Sequence, residues 1–205
     1  YYESSNYISH TDSKKSSIDK VYHFVKLYTI QKKVSLINSF KTENKKLLDV
    51  GCGTGDFLGY MNQKGWKVKG LEPDADARAL GEKNYEISIQ STDELHDLPN
   101  EHYGAITMWH VLEHVYHLNK DVEKIKQLLK KEGTLFVAVP NCSSADAEKY
   151  GEYWAAYDVP IHLYHFRPQN IKDLFAKYNM EVTDILPMKF DSYYVSLLSE
   201  KYKIL

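Results

Sequence analysis

Short apolar runs alternate with longer amphipathic ones along residues 46–186, and glycine or proline marks most of the changes. Leu47-Leu48-Asp49-Val50 is short and apolar and stops abruptly at Gly51-Cys52-Gly53-Thr54-Gly55, the pattern of a buried strand entering a tight turn. Residues 55–64 then read as a helix that Gly65 ends, and residues 67–73 as a second strand. Asp74 is placed to cap a short helix over 74–83, before a third strand at 85–90. Residues 103–109 give a fourth strand, 119–131 an amphipathic helix ended by Gly133, and 134–139 a fifth strand stopped at Pro140. A helix over 169–178 and a sixth strand over 180–186 follow. Ahead of the first strand, Ile18, Val21, Tyr22, Val25, Tyr28, Val34, Ile37 and Phe40 recur at helical spacing from Ser17 to about Lys41, in a helix that is either continuous or broken in two. Strands alternating with helices predict an α/β, doubly wound, mostly parallel sheet with helices on both faces.

Three segments fall outside this rhythm. Residues 1–17 are polar, serine-rich and dotted with tyrosine; with the helix after them, residues 1–45 form an arm expected to act as a lid or cap. Residues 140–168 make a long, aromatic-rich connection holding Tyr150, Tyr153, Trp154, Tyr157, Tyr164 and Phe166, which argues for an ordered roof over a substrate pocket. Residues 190–205 read as a helix or a tail, following a main domain over 46–189.

The chemistry gathers at the first turn. Its glycines are spaced G-x-G-x-G, not the G-x-G-x-x-G that seats a pyrophosphate on a helix end. Asp49, two residues before the first glycine, repels a pyrophosphate and suits a cationic ligand. Glu72, at the end of the second strand, can accept hydrogen bonds from both hydroxyls of a ribose. The runs LLDVGCGTGDF and VKGLEPD resemble the first two motifs of the class I S-adenosylmethionine-dependent methyltransferases, most closely the small-molecule, ubiquinone-biosynthesis-like O-methyltransferases. The resemblance implies a Rossmann-like sheet of order 3-2-1-4-5-(7)-6, although no seventh strand is evident, so the C-terminus reads as truncated or rearranged. It also implies S-adenosyl-L-methionine as cofactor, with Asp49, Gly51, Cys52, Gly53 and Gly55 around its methionine and ribose, and Glu72 and Pro73 at the ribose hydroxyls. Ser91, Thr92 and Asp93 would lie near the adenine, and Trp109 near the transferable methyl.

Sulfonium chemistry needs alignment, and a base only where the acceptor carries a proton. His110, His162 and His165 are the candidate catalytic residues, the last two from a stretch resembling the family's P-x-H-x-x-x-F. His110-Val111-Leu112-Glu113-His114 also spells H-x-x-E-H, a zinc-protease signature, but it follows a strand of a nucleotide-binding sheet. In some methyltransferases a similar E-x-x-E-H string supports a divalent ion. This chain carries His110 in place of the first acid, which disfavours Mg²⁺. The expectation adopted is that Glu113 and His114 cap and pack the turn, with no metal.

Composition narrows the partners. The 205 residues carry a formal net charge of −2, which provides no footprint for nucleic acid or an anionic membrane. Two cysteines make no disulfide framework and fit a cytoplasmic setting. A chain beginning at Tyr1 reads as a trimmed piece of a longer one. The expected function is methyl transfer to a small molecule, most readily on oxygen, with no nucleic acid or membrane partner and an oligomeric state the sequence does not specify. The alternatives are a catalytically silent S-adenosylmethionine-binding module and a nicotinamide-dependent oxidoreductase.

Overall fold

The computed structural model describes residues 17–40 and 42–204, with side chains from His23 onward. The arm ahead of residue 17, and with it most of the proposed lid, lies outside the described residues.

The chain forms two compact units. The first comprises the chain up to Met108 together with Gln127–Phe136. Helix α1 (Ser17–Ser39) runs unbroken and leads to β1 (Lys46–Val50), α2 (Asp56–Gln63), β2 (Lys67–Leu71), α3 (Ala75–Tyr85) and β3 (Ser88–Gln90). Strands β4 (Tyr103–Trp109) and β5 (Leu129–Ala138) complete a five-stranded parallel sheet of order β3-β2-β1-β4-β5, with helices on both sides. Strand β1 is central: Asp49 pairs with Gly70 of β2 on one side and with Thr107 of β4 on the other. Its apolar run is explained by burial on both faces, since Leu47 and Leu48 are fully buried. Winding in opposite directions from β1 opens a crevice at the carboxyl ends of β1 and β4, where open α/β sheets take their ligands.

Local chemistry sets the element ends. Asp74 caps α3 by accepting from the Ala77 N–H at 2.8 Å. Helix α3 runs on through Tyr85, whose hydroxyl donates to Asp56 Oδ1 at 2.8 Å, so β3 begins only at Ser88, later than the pattern predicts. Lys26 of α1 donates to the other oxygen of Asp56 at 2.9 Å, and Trp66 Nε1 donates to Asn38 Oδ1 at 2.9 Å, which fastens α1 to this unit.

The second unit comprises Trp109–Lys126 and the chain from Val137 onward. It holds most of α4 (Leu118–Leu128), then α5 (Ala145–Tyr150), two 3-10 turns at Gly151–Tyr153 and Ala155–Tyr157, α6 (Pro168–Ala176) and α7 (Lys189–Ile204). The aromatic connection is ordered, as expected. Two of its rings pack inward: Tyr150 and Trp154 join Ala147 and Ala156 in a small core of their own. Helix α7 closes that core. Ser199 accepts from the Ala155 N–H at 2.9 Å, Ser192 and Ser196 donate to Asp146 at 2.6 and 3.0 Å, and Glu200 accepts from the Tyr150 hydroxyl at 2.8 Å.

The sixth strand does not form. Residues 181–188 are irregular, and neighbouring Ile185 and Leu186 are both more than half exposed. Thr183 and Asp184 interrupt the apolar run, and an extended segment becomes a strand only when another strand takes its backbone groups. A seventh strand is likewise absent among the described residues.

Gly104 marks where the chain leading into β1 crosses β4, since a Cβ there would overlap the Asn44 carbonyl oxygen. Gly104→Ala should therefore destabilise the protein by about 1–3 kcal/mol, the usual cost of overpacking, read as a lowered urea midpoint at unchanged slope.

Candidate functional site

The turn after β1 is built by backbone conformation. Gly51, Gly53 and Gly55 all have positive φ, at 73°, 55° and 74°, a region costly for residues with a Cβ. The N–H groups of Gly51 and Cys52 both donate to the Leu71 carbonyl, at 2.7 and 3.1 Å, tying this turn to the end of β2. Glu72 tightens the same junction: Oε2 accepts from the Gly53 N–H at 2.8 Å and Oε1 from the Asp74 N–H at 3.1 Å. Pro73 follows on the surface, and its carbonyl and that of Glu72 share Arg78 Nη1 at 2.8 Å each.

Asp49 lies beneath the turn with 3% of its surface exposed. Thr107 Oγ1 donates to its Oδ1 at 2.6 Å from the neighbouring strand. Burial pushes the Asp49 carboxyl up to about 7, the Thr107 hydrogen bond and the Lys33 ammonium offset part of this, and the charge of Glu72 adds to it. The Cys52 thiol is pushed far above its ordinary range, by burial first and then by the charges of Asp49 and Glu72, so it stays protonated and unreactive. Ser91, Thr92 and Asp93 sit where β3 ends: Ser91 caps the 3-10 turn by accepting from the Asp93 N–H at 3.3 Å and donates to the Asp93 carboxylate at 3.0 Å.

In the second unit, Trp109 ends β4 and His110 follows in the left-handed region at φ 58°. The His110 backbone N–H donates to the Ala138 carbonyl at 2.9 Å, which holds the strained turn in place. Its ring lies between two acids, with Nε2 3.2 Å from Asp191 Oδ2 on α7 and Nδ1 3.5 Å from Glu113 Oε1. Burial opposes its charge, but the hydrogen bond to Asp191 and the negative charges of Glu113 and Asp191 outweigh that and push His110 up to about 9. These contacts favour its charged form.

Glu113 does not use its carboxylate to cap. Its side chain is fully buried and neither oxygen has a hydrogen-bond partner, while its backbone carbonyl accepts from the N–H groups of Leu163 and Tyr164 at 2.8 and 3.2 Å. Those bonds bring the aromatic segment down beside it. His162 Nδ1 donates to the Ala156 carbonyl at 2.9 Å and His114 Nδ1 to the Ile161 carbonyl at 3.3 Å. One ligand atom from each of Glu113, His114 and His162 lies within 4.8 Å of the other two. His165 is separate in role: it is exposed, and its Nε2 donates to the Tyr157 carbonyl at 2.9 Å.

Sequence reasoning missed Thr107, Lys33 and Asp191. A threonine in the middle of an otherwise apolar, fully buried strand was the available signal for Thr107, because a buried hydroxyl needs a partner. Asp191 meets His110 across 81 positions of sequence, and no local pattern encodes that pairing.

Comparison with known proteins agrees with this geometry. Residues 22–185 match the family model described as a methyltransferase domain. The chain is 33% identical over 108 residues to the ubiquinone biosynthesis O-methyltransferase of Glaesserella parasuis, covering 47% of this chain and 46% of that protein. It is 30% identical over 106 residues to the mitochondrial enzyme of that name from Mus musculus, covering 47% of this chain and 29% of that one. The chain thus spans less than half the length of these two relatives. The crystal structure of magnesium protoporphyrin IX methyltransferase from Synechocystis, with bound S-adenosylhomocysteine, superposes with a TM-score of 0.65 at 13% identity, over 85% of this chain and 82% of that one. A matched domain covering most of the chain, a sheet of the right order and a glycine turn braced by Glu72 lead to one conclusion: the chain belongs to the class I S-adenosylmethionine-dependent methyltransferases.

Proposed function

We propose that the chain transfers a methyl group from S-adenosylmethionine to a hydroxyl of a small molecule. The observation that carries the reading is the pair of buried acids at the β1 turn, Asp49 and Glu72. The turn fits the cofactor. A Cβ on Gly53 would meet nothing within 4 Å, so the turn has an open side, and each Glu72 oxygen has a further lone pair beyond the N–H it already accepts. In this reading Glu72 takes the ribose hydroxyls, Gly51, Cys52, Gly53 and Gly55 let the ligand approach the main chain, and Asp49 faces the positive charge of the methionine end. Pro73, Ser91, Thr92 and Asp93 border the nucleoside. When bound, S-adenosylmethionine supplies a methyl on a cationic sulfur.

The three histidines take different roles. His110, held cationic, positions Asp191 and Glu113. His165 fastens Tyr157. His162 is anchored through Nδ1 to the Ala156 carbonyl, and its Nε2 is the atom left to engage an acceptor hydroxyl. The oxygen preference is supported by the O-methyltransferase names of the relatives. Two free cysteines among the described residues support a cytoplasmic setting. No described helix is long and apolar enough to cross a membrane.

The reading is tested by incubating the chain with S-adenosylmethionine and a panel of phenols and hydroxylated metabolites, and measuring S-adenosylhomocysteine release. Release that depends on the acceptor supports it; cofactor binding with no turnover on any acceptor favours the silent module. Asp49 makes a pH prediction. The cationic ligand prefers the ionised carboxylate, which in the free protein forms only as pH rises through about 7. Affinity should therefore fall by up to about tenfold per unit below pH 7 and level off above it, and Asp49→Asn should abolish the slope. Glu72→Ala should weaken cofactor binding by roughly 1–3 kcal/mol in a calorimetric titration, as expected for a lost charged hydrogen bond. His162→Ala should lower turnover and leave cofactor affinity unchanged.

A further inference from the structure

We propose that a cleft at the amino ends of β1 and β2 binds a small anion carrying two or three linked phosphate groups. The cleft lies within the first unit, at the opposite end of β1 and β2 from the glycine turn, and the proposal does not depend on the methyl-transfer reading.

The cleft has a volume of about 430 Å³, and Glu43, Asn44, Lys45, Lys46, Lys67 and Lys130 line it. Its frame is fixed by backbone bonds. The Lys67 N–H donates to the Lys45 carbonyl at 2.8 Å, which joins the starts of the two strands. Asn44 Nδ2 donates to the His102 carbonyl at 3.0 Å and Asn44 Oδ1 accepts from the Lys46 N–H at 3.1 Å, tying this edge to the start of β4. The lysines therefore stand on a fixed scaffold, with Lys45, Lys67 and Lys130 exposed and Lys46 half-buried.

Three features point to a bound anion. The first is unrelieved repulsion. Strand register sets Lys46 directly opposite Lys67, and Lys69 follows two residues on along the same face of β2. Like charges directly opposite on paired strands destabilise a sheet. None of Lys45, Lys46, Lys67, Lys69 and Lys130 makes an ion pair among the described residues, whereas Lys26 and Lys149 each find a carboxylate. Lys46 Nζ lies instead 3.2 Å from His102 Nε2.

The second is that a neighbouring group feels the field. His102 is held below the ordinary histidine range, by burial first and then by the charges of Lys46, Lys130 and Lys69. These lysines come from β1, β5 and β2, so three strands direct positive charge at one place.

The third is the chemistry of the donors. Four lysines against Glu43 leave three positive charges on the lining. One phosphate carries about −1.5 to −2 at pH 7, so two or three are needed to balance them. The cations are all ammoniums, compact point charges that suit phosphate oxygens, and no arginine lines the cleft among the described residues to pair a carboxylate through two prongs. The formal net charge of −2 over the chain and the acid on the lining confine the positive field to this cleft, which gives a small anion a seat and a nucleic-acid backbone no track.

The test titrates the full chain with inorganic tripolyphosphate by calorimetry and follows the His102 ring by NMR. One equivalent should bind, more weakly as salt rises, and the titration midpoint of His102 should move up as the anion offsets the lysine charges. Lys67→Gln and Lys130→Gln, both at exposed positions, should each weaken binding by roughly fivefold or more, as expected for a lost charged hydrogen bond. Lys67→Gln should also raise the melting temperature of the free protein, because it removes the repulsion with Lys46. Lys172→Gln, an exposed position in the second unit, should leave binding unchanged. Binding that does not saturate, an unmoved His102, an equal loss in Lys172→Gln, a lower melting temperature for free Lys67→Gln, or tighter binding of a short single-stranded RNA than of tripolyphosphate would each overturn the assignment.

Discussion

Glu72 is the residue on which the first unit's architecture turns. Its two oxygens accept backbone N–H groups from Gly53 and Asp74, and so bind the turn after β1 to the turn after β2. Neither turn is self-sufficient. The first has three glycines at positive φ and gains little from propensity, and the second must leave β2 and start α3 within three residues. A nearly buried carboxylate making charged hydrogen bonds to both supplies the missing constraint. The Leu71 carbonyl, accepting from Gly51 and Cys52, adds a second tie a residue away.

Asp49 depends on that frame. Strand pairing puts it opposite Thr107, and the hydroxyl of Thr107 satisfies one of its oxygens. The carboxyl is still held near neutrality between its charged and uncharged forms. Such a group is expensive to maintain for stability alone, and it sits at the carboxyl end of the central strand, where open α/β sheets take their ligands. The second unit repeats the theme with different chemistry: Glu113 is buried with its oxygens unsatisfied, and imidazoles gather around it.

The fold was legible in the sequence wherever the signal was local. Residues 47–50 announced a buried strand because the run is apolar and ends in glycines, and residues 74–83 a helix because Asp74 caps it. Strands β1, β2 and β4 and the turn that joins β1 to α2 followed from such cues, whereas β5 begins at Leu129, in the stretch expected to be helix, and runs through the Gly133 expected to end that helix. The sixth strand was misread because residues 180–186 have strand-like composition, and composition says nothing of whether a partner strand is within reach. The aromatic connection was recognised as ordered, but the packing of Tyr150 and Trp154 into a core closed by α7 joins segments far apart in sequence. The residue identities at the β1 turn were likewise plain, whereas Thr107, Asp191 and the convergence of His114 with His162 arise from packing between distant segments.

The central claim is that the β1 turn and Glu72 receive S-adenosylmethionine or its product. The most direct measurement is a two-dimensional amide spectrum of the ¹⁵N-labelled chain titrated with S-adenosylhomocysteine and, in parallel, with NAD. The account predicts saturable shifts concentrated at the amides of Gly51–Gly55 and Glu72–Asp74 with S-adenosylhomocysteine, and none with NAD. Shifts confined to other parts of the chain, or the same amides responding equally to NAD, would contradict it.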